Sequence, residues 1–287
     1  MAIVKTCSIL DNNIIKDDEV IRMETVSIGV FGGSGFYKFG ENVKELKIDT
    51  PYGIPSSPVF LASIEGKRVA FLPRHGTKHD YPPHKINYRA NLWAMKELGV
   101  KRIFGPCAAG SLQVNVKPGE IVFCDQFVDR TNGRADTFYD GPMTTHISCA
   151  EPYCPDMRRL AINAAKELKL PHHETGTVVV INGPRFSSKA ESKWFTNQGW
   201  EVVNMSQYPE AVLARELEMC YVNISLITDY DCGLESEVAP TNVKDIITVF
   251  DNNLNNLKKL LFKIIKDMPD EHLCDCDKTL KFSRFNG

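Results

Sequence analysis

Ser27-Ile28-Gly29-Val30-Phe31-Gly32-Gly33-Ser34-Gly35-Phe36 reads as an apolar strand running into a glycine-rich turn that carries one hydroxyl. Glycines let the backbone turn tightly and aim its N–H groups at an anion. Two cofactor loops are excluded. The dinucleotide fingerprint G-x-G-x-x-G would begin at Gly33 and Gly35, but Lys38 stands at its third position. A P-loop would run from Gly35 to Gly40, but Glu41 and Asn42 stand where Lys and Ser/Thr belong. A carboxylate there repels a triphosphate. What remains is a turn suited to phosphate itself, held as a reactant.

Outward from this turn, β-rich runs alternate with helical patterns. Strands are predicted at 27–31, 68–72, 102–105, 120–124, 176–181, 202–204 and 221–228, and helices at 88–98, 157–168, 189–197 and 210–218. A long last helix follows from Val243, Ile246, Ile247, Phe250, Leu254, Leu257, Leu261, Ile264, Ile265 and Met268, which recur every three or four residues behind Thr241 as N-cap. The pattern implies an α/β sheet with helices on both faces. No repeat, low-complexity stretch or Pro/Gly linker divides it. The organisation read is an extension at 1–26, one catalytic domain at 27–270 and a tail at 271–287 that contains Cys-x-Cys.

The bulk numbers fit this. The chain has 287 residues, 43% apolar and 24% charged, with net charge −2, which is ordinary for a globular protein and gives no pull toward nucleic acid or an anionic membrane. No apolar run reaches the roughly 18–20 residues of a spanning helix. The first residues lack the basic and apolar regions of a secretory signal, so a cytoplasmic location is expected.

Polar motifs sit at the predicted strand ends, where open α/β sheets bind ligands. Leu72-Pro73-Arg74-His75-Gly76 offers a guanidinium fork suited to phosphate oxygens, with a histidine beside it. Alone, such a pair is commonly a surface feature. Asn204-Met205-Ser206 leads into a helix start marked by Pro209 and Glu210, so Ser206 is either a plain N-cap or a donor to the same anion. Asp229 and Asp231, at i and i+2 after an apolar strand, share one face if the strand continues. They are a solvated loop pair or a couple in which one carboxyl has a raised pKa and donates a proton.

The chain has nine cysteines. Cys107, Cys124 and Cys220 lie in apolar surroundings and read as buried, inert thiols. An odd count without a signal suits a reducing compartment. Cys274-Asp275-Cys276 leaves three options open: tail thiols, a strained C-x-C disulfide, or a metal site with His272, which would be one ligand short.

These motifs, in this order, resemble the trimeric nucleoside phosphorylases over most of the chain, and within them the methylthioadenosine phosphorylase branch. The resemblance extends to His84-Lys85-Ile86-Asn87-Tyr88-Arg89-Ala90-Asn91, Asp125-Gln126-Phe127-Val128-Asp129-Arg130-Thr131, Gly183-Pro184-Arg185-Phe186-Ser187-Ser188 and Thr228-Asp229-Tyr230-Asp231-Cys232. It implies a single α/β domain with a central mixed sheet flanked by helices, and a reaction in which phosphate attacks the anomeric carbon of a purine nucleoside. It implies phosphate held by Ser34, Arg74, His75, the backbone at Ala108 and Ser206. Sugar contacts fall to Met205 and Cys107, and the purine to Phe186, Ser187, Asp229 and Asp231, with Asp229 on N7 and the 6-amino group. His79 matches a position near the 5′ substituent. His146 would come from a neighbouring subunit, and the 243–247 stretch would form an apolar wall. The implied assembly is a homotrimer, or a hexamer.

No metal or organic cofactor is implied, phosphate being a co-substrate. Cys107 and Ser206 depart from the family pattern, which usually has threonine at both places. The tail resembles relatives from heat-loving microbes that use C-x-C disulfides. Asp229 favours a 6-amino purine, and a phosphorylase for methylthioinosine or other purine nucleosides is the nearest alternative. A nucleosidase would need no phosphate cradle, and a non-catalytic nucleoside binder would need no proton donor.

Overall fold

The structure is a computed structural model and describes residues 26–32, 41–232, 234, 243–271, 274–281 and 283–284, with side chains in the last helix described only in part. Ser34, His272 and residues 1–25 of the expected 1–26 extension lie outside the described residues, as do the side chains at 243–247; Val26 is described and buried, its N donating to Leu98 O.

Among the described residues, eleven strands form one mixed sheet. They are β1 (Ile28–Gly32), β2 (Glu41–Leu46), β3 (Val59–Ile64), β4 (Lys67–Pro73), β5 (Arg102–Ser111), β6 (Ile121–Val122), β7 (Gln126–Arg130), β8 (His172–His173), β9 (Thr177–Ile181), β10 (Val202–Asn204) and β11 (Cys220–Tyr230). The helices are α1 (Tyr88–Glu97), α2 (Pro155–Glu167), α3 (Lys189–Asn197), α4 (Gln207–Glu216) and α5 (Val243–Asp267). The main order is β2-β3-β4-β1-β5-β10-β9-β7, with β11 on the other edge of β5.

β5 organises the site. On one edge it pairs in parallel with β11 from Arg102 to Ser111. On the other it pairs with β1 only as far as Phe104, and with β10, antiparallel, only at Gly110 and Ser111. Between those two pairings, residues 105–109 have no strand beside them on that edge among the described residues. The sheet splits there, and a backbone whose ladder is open must find other partners. Pro106 suits the split because it brings no N–H.

Helices cover both faces. Leu92 and Met95 of α1 share a core with Leu213 and Ala214 of α4. Met157 and Ala161 of α2 share the opposite core with Leu257, Leu261 and Ile264 of α5, matching the three-to-four-residue period of that helix. Phe195 of α3 packs on Val179 and Val203. Local sequence starts these helices: Asn87 accepts from Ala90 N at the head of α1, and Ser188 and Glu191 make a reciprocal capping box on α3.

The expected strand at 120–124 narrows to Ile121–Val122, because that segment meets β11 only at Ser225 and Leu226. β2, β3, β7 and β8 were not anticipated. β2 is solvent-facing along nearly its whole length and carries no apolar alternation to read. The tail turns back on the body: Leu280 N donates to Glu218 Oε1 at 3.2 Å and His146 N donates to Ser283 O at 2.7 Å.

Candidate active site

Arg74 follows β4 and points into the split of the sheet, 3% exposed. Its Nε and Nη2 donate to Oε1 and Oε2 of Glu210, each at 2.9 Å, and its Nη1 donates to Pro106 O at 2.8 Å. Arg74, expected to offer its fork to phosphate, turns part of that fork to Glu210. A buried guanidinium needs a counter-charge, and Glu210, itself fully buried, takes the fork. Three of the five N–H groups are engaged, leaving one on each terminal nitrogen. Burial opposes the charge of Arg74, but the Glu210 carboxylate more than offsets it and drives the arginine pKa up. Tyr221 Oη donates to the same carboxylate at 2.5 Å. A Cβ at position 105 would overlap that phenol, so the strand carries glycine there.

His75 turns beside this pair. Its Nδ1 lies 2.9 Å from Tyr81 O, so Nδ1 donates and the neutral ring keeps its lone pair on Nε2. Burial, then the Arg74 and His79 charges, outweigh that carbonyl and lower its pKa to about 4. His79 is exposed, at φ +61°, with its ring stacked 4.5 Å from that of His75.

Ser206 stands at the head of α4, buried, and its side chain makes no cap bond. The plain N-cap reading is thereby set aside. Met205 precedes it, and its carbonyl accepts from Arg134 Nη2 at 2.8 Å. Met205 Sδ packs where a side chain on Gly183 (φ +63°) would go. Cys107 turns its sulfur into a buried amide cluster: Asn204 Nδ2 donates to it at 3.3 Å and Asn223 Nδ2 at 3.5 Å. Burial pushes its thiol pKa up. The neighbouring Ala108 is half-buried on β5.

At the far end of β5, a register shift in its pairing with β11 falls between Ile227 and Asp229. Such a bulge re-aims the residues after it. Asp229 Oδ2 and Asp231 Cβ both come within 3.7 Å of where a Cβ on Gly110 would stand, so the two acidic side chains do share a face. Thr228 Oγ1 donates to Asp229 Oδ1 at 2.7 Å. Asp231 is buried, with Oδ2 lacking a hydrogen-bond partner among the described residues. Burial raises its pKa, opposed by the hydroxyls of Ser192 and Ser187. Ser187 O also accepts from Cys232 Sγ at 3.2 Å, and Phe186 next to it is 37% exposed.

The geometry therefore has two poles on one strand. From Pro106, touched by Arg74, to Gly110, covered by the carboxylates, β5 runs four residues, about 13 Å. Met205 and Ser206 belong to the segment that flanks this stretch, since Asn204 Nδ2 donates to Cys107 Sγ and Gln207 Nε2 to Gly105 O. The span suits a sugar with a phosphate at one end and a base at the other. His146 is exposed and sits against the tail rather than between the poles.

The model of the phosphorylase superfamily matches residues 27–266. The chain belongs to that superfamily. Among its relatives, S-methyl-5′-thioadenosine phosphorylase of Pyrococcus abyssi is 51% identical over 254 residues, 88% of this chain and 97% of that protein. A purine nucleoside phosphorylase of Streptomyces coelicolor is 47% identical over 263 residues, 88% of this chain and 94% of the relative. Among solved structures, methylthioadenosine phosphorylase from Schistosoma mansoni in complex with adenine superimposes with a TM-score of 0.85 at 33% identity, covering 91% of this chain and 99% of that one.

Three residues of this phosphorylase's site escaped sequence reasoning. Glu210 read only as a helix-start residue, although a buried arginine at a strand end demands a carboxylate somewhere. Tyr221 read as strand core. Arg134 ties the first turn of α4 to the ends of β9 and β10, donating to Tyr208 O, Asn182 O and Met205 O. No local pattern marked it.

Proposed function

We infer that the chain cleaves 5′-methylthioadenosine by phosphorolysis, releasing adenine and 5-methylthioribose 1-phosphate, a step of purine and methionine salvage. The observation that carries this is the two-pole arrangement on β5: fixed cationic and hydroxyl donors at Arg74 and Ser206, and a carboxyl pair at Asp229 and Asp231.

Phosphate attacks the anomeric carbon as the bond to the purine nitrogen breaks. Positive charge grows on the sugar and negative charge on the base. A phosphate anion held by the two remaining Arg74 N–H groups, Ser206, the Ala108 backbone and the Ser34 turn steadies the first. Glu210 neutralises much of Arg74, so the arginine acts as an oriented donor more than as bare charge. Neutral His75 presents a lone pair at Nε2; a phosphate oxygen meeting it brings a proton or induces proton uptake by the ring. At the other pole burial raises the pKa of Asp231, which favours its protonated form, and Asp229 reaches the N7 edge and the 6-amino group. Phe186 stacks on the purine, with Ser187 beside it. Met205 and the neighbourhood of Cys107 flank the ribose, the Cys107 thiol pointing away into its amide cluster. His79, with His146 and the 243–247 wall, serves the 5′ group across a subunit contact in a homotrimer.

A second reading, a broader purine nucleoside phosphorylase, is favoured by the 47% identical Streptomyces relative named for that activity. Competition between methylthioadenosine, methylthioinosine, adenosine and inosine in phosphate buffer separates them. Methylthioadenosine is expected to have the highest kcat/KM; preference for the inosine compounds would overturn the adenine assignment.

A further inference from the structure

The opposite end of β11 from Asp229, about 30 Å away along the strand, carries a cluster the reaction does not use. Cys154 caps α2, Cys220 opens β11, and Cys274 and Cys276 come from the tail. The four sulfurs all lie within 4.8 Å of one another. The sequence alone offered two tail cysteines and His272; the fold supplies the two missing thiols from the body.

We propose that Cys154, Cys220, Cys274 and Cys276 form a tetrathiolate site for one zinc ion that fastens the C-terminal tail to the sheet. A regular zinc tetrahedron with Zn–S near 2.3 Å has sulfur–sulfur edges of about 3.8 Å. The Cys220–Cys274 separation of 3.3 Å and the 4.8 Å outer limit bracket that edge. Cys154, Cys220 and Cys276 are buried and Cys274 is partly so, which keeps water from the fourth position. Four soft sulfur donors and no oxygen ligand select zinc over magnesium or calcium.

Surrounding groups fit a site that carries two negative charges when loaded. Met157 N donates to Cys154 Sγ at 3.5 Å from the first turn of α2, a place that favours thiolate. Arg102 and Arg159 line the adjoining cavity of about 120 Å³, which reaches Cys154, Cys220 and Cys274 and gives an ion its access. Arg102 Nη2 also holds the approach to the tail, donating to Asp270 O at 3.1 Å and Glu271 O at 2.8 Å. Loading releases four thiol protons as Zn²⁺ binds, with no oxidation or reduction. Two disulfides are the competing use of the same sulfurs; they would require an oxidant, and the pairing of Cys274 with Cys276 would in addition close a small strained ring across Asp275.

The test uses the full chain, purified without chelator or added thiol. Elemental analysis is expected to find one zinc per chain, and cobalt(II) exchanged into the protein is expected to give the thiolate charge-transfer and tetrahedral d–d bands of a four-sulfur site. Cys274→Ser and Cys276→Ser, in the tail and outside the sheet and the α-helices, should each lower zinc content severalfold. A metal-free protein whose unreduced mass is lower by two or four hydrogens would overturn the proposal in favour of disulfides. A metal-free protein with all its thiols reactive would overturn it too, as would full zinc content in both variants.

Discussion

Arg74 and Glu210 form a buried bidentate pair with both bonds at 2.9 Å, and the same guanidinium donates to Pro106 O where the sheet splits. Glu210 and Pro106 O engage three of the five guanidinium N–H groups and fix its orientation. Breaking one partner of a buried pair costs about 3–5 kcal/mol, because the other charge is stranded. Glu210→Ala is therefore expected to lower stability by that order in denaturant titrations. Glu210→Gln, which preserves shape, is expected to raise KM for phosphate at least tenfold with a smaller change in the nucleoside KM. Equal changes in both constants would deny Glu210 its positioning role.

Gly105 gives a test free of the chemistry. Its missing side chain leaves the space that the Tyr221 phenol occupies on its way to Glu210. Gly105→Ala forces that ring aside, an overpacking expected to cost about 1–3 kcal/mol. Tyr221→Phe in the same background should recover part of the loss, since it removes the overlapping oxygen. Unfolding curves of the single and double variants read this directly.

The carboxyl pair predicts a split by base and by pH. Asp229→Asn is expected to reduce kcat/KM on 6-aminopurine substrates at least tenfold, the equivalent of about 1.4 kcal/mol. Burial raises the Asp231 pKa, so Asp231 holds its proton to higher pH than an ordinary carboxyl, and the rate should fall on the alkaline side as that proton is lost. Asp231→Asn should flatten that limb. Unchanged kinetics in both variants would remove the pair from the reaction.

His75 predicts a stability slope. Its pKa in the fold is about 4, against about 6.5 in an unfolded chain. Between those values the unfolded state binds the proton and the folded state does not, so stability falls as pH drops from about 6.5 to about 4. Above 6.5 the contribution is fully present. His75→Gln should show a shallower decline through that window than the parent chain, measured by melting temperature against pH. Parallel curves would mean that His75 titrates normally.

The strand-end residues were legible in the sequence because each sits in a local pattern. Pro73-Arg74-His75-Gly76 announces a turn, and Asp229 and Asp231 share a face by the two-residue period of a strand. Glu210 and the Arg74 fork could not be read in the same way. Their partnership joins residues 136 positions apart and comes from the long-range need of a buried charge. The split of β5 was equally hidden, since it depends on where β1 stops and β10 starts, and pairing lengths leave no local mark. β2 escaped because its side chains face solvent. The tail cysteines showed their spacing, but Cys154 and Cys220 are separated from them by whole elements, and only the fold brings the four sulfurs together.

The central claim is that phosphate is the attacking group. The direct measurement is adenine release from 5′-methylthioadenosine by the phosphate-free protein, with and without added phosphate, alongside phosphorus NMR of the product. Release that depends on phosphate and yields a sugar 1-phosphate resonance is the predicted result. Adenine released equally fast without phosphate, with free methylthioribose as the product, would contradict it.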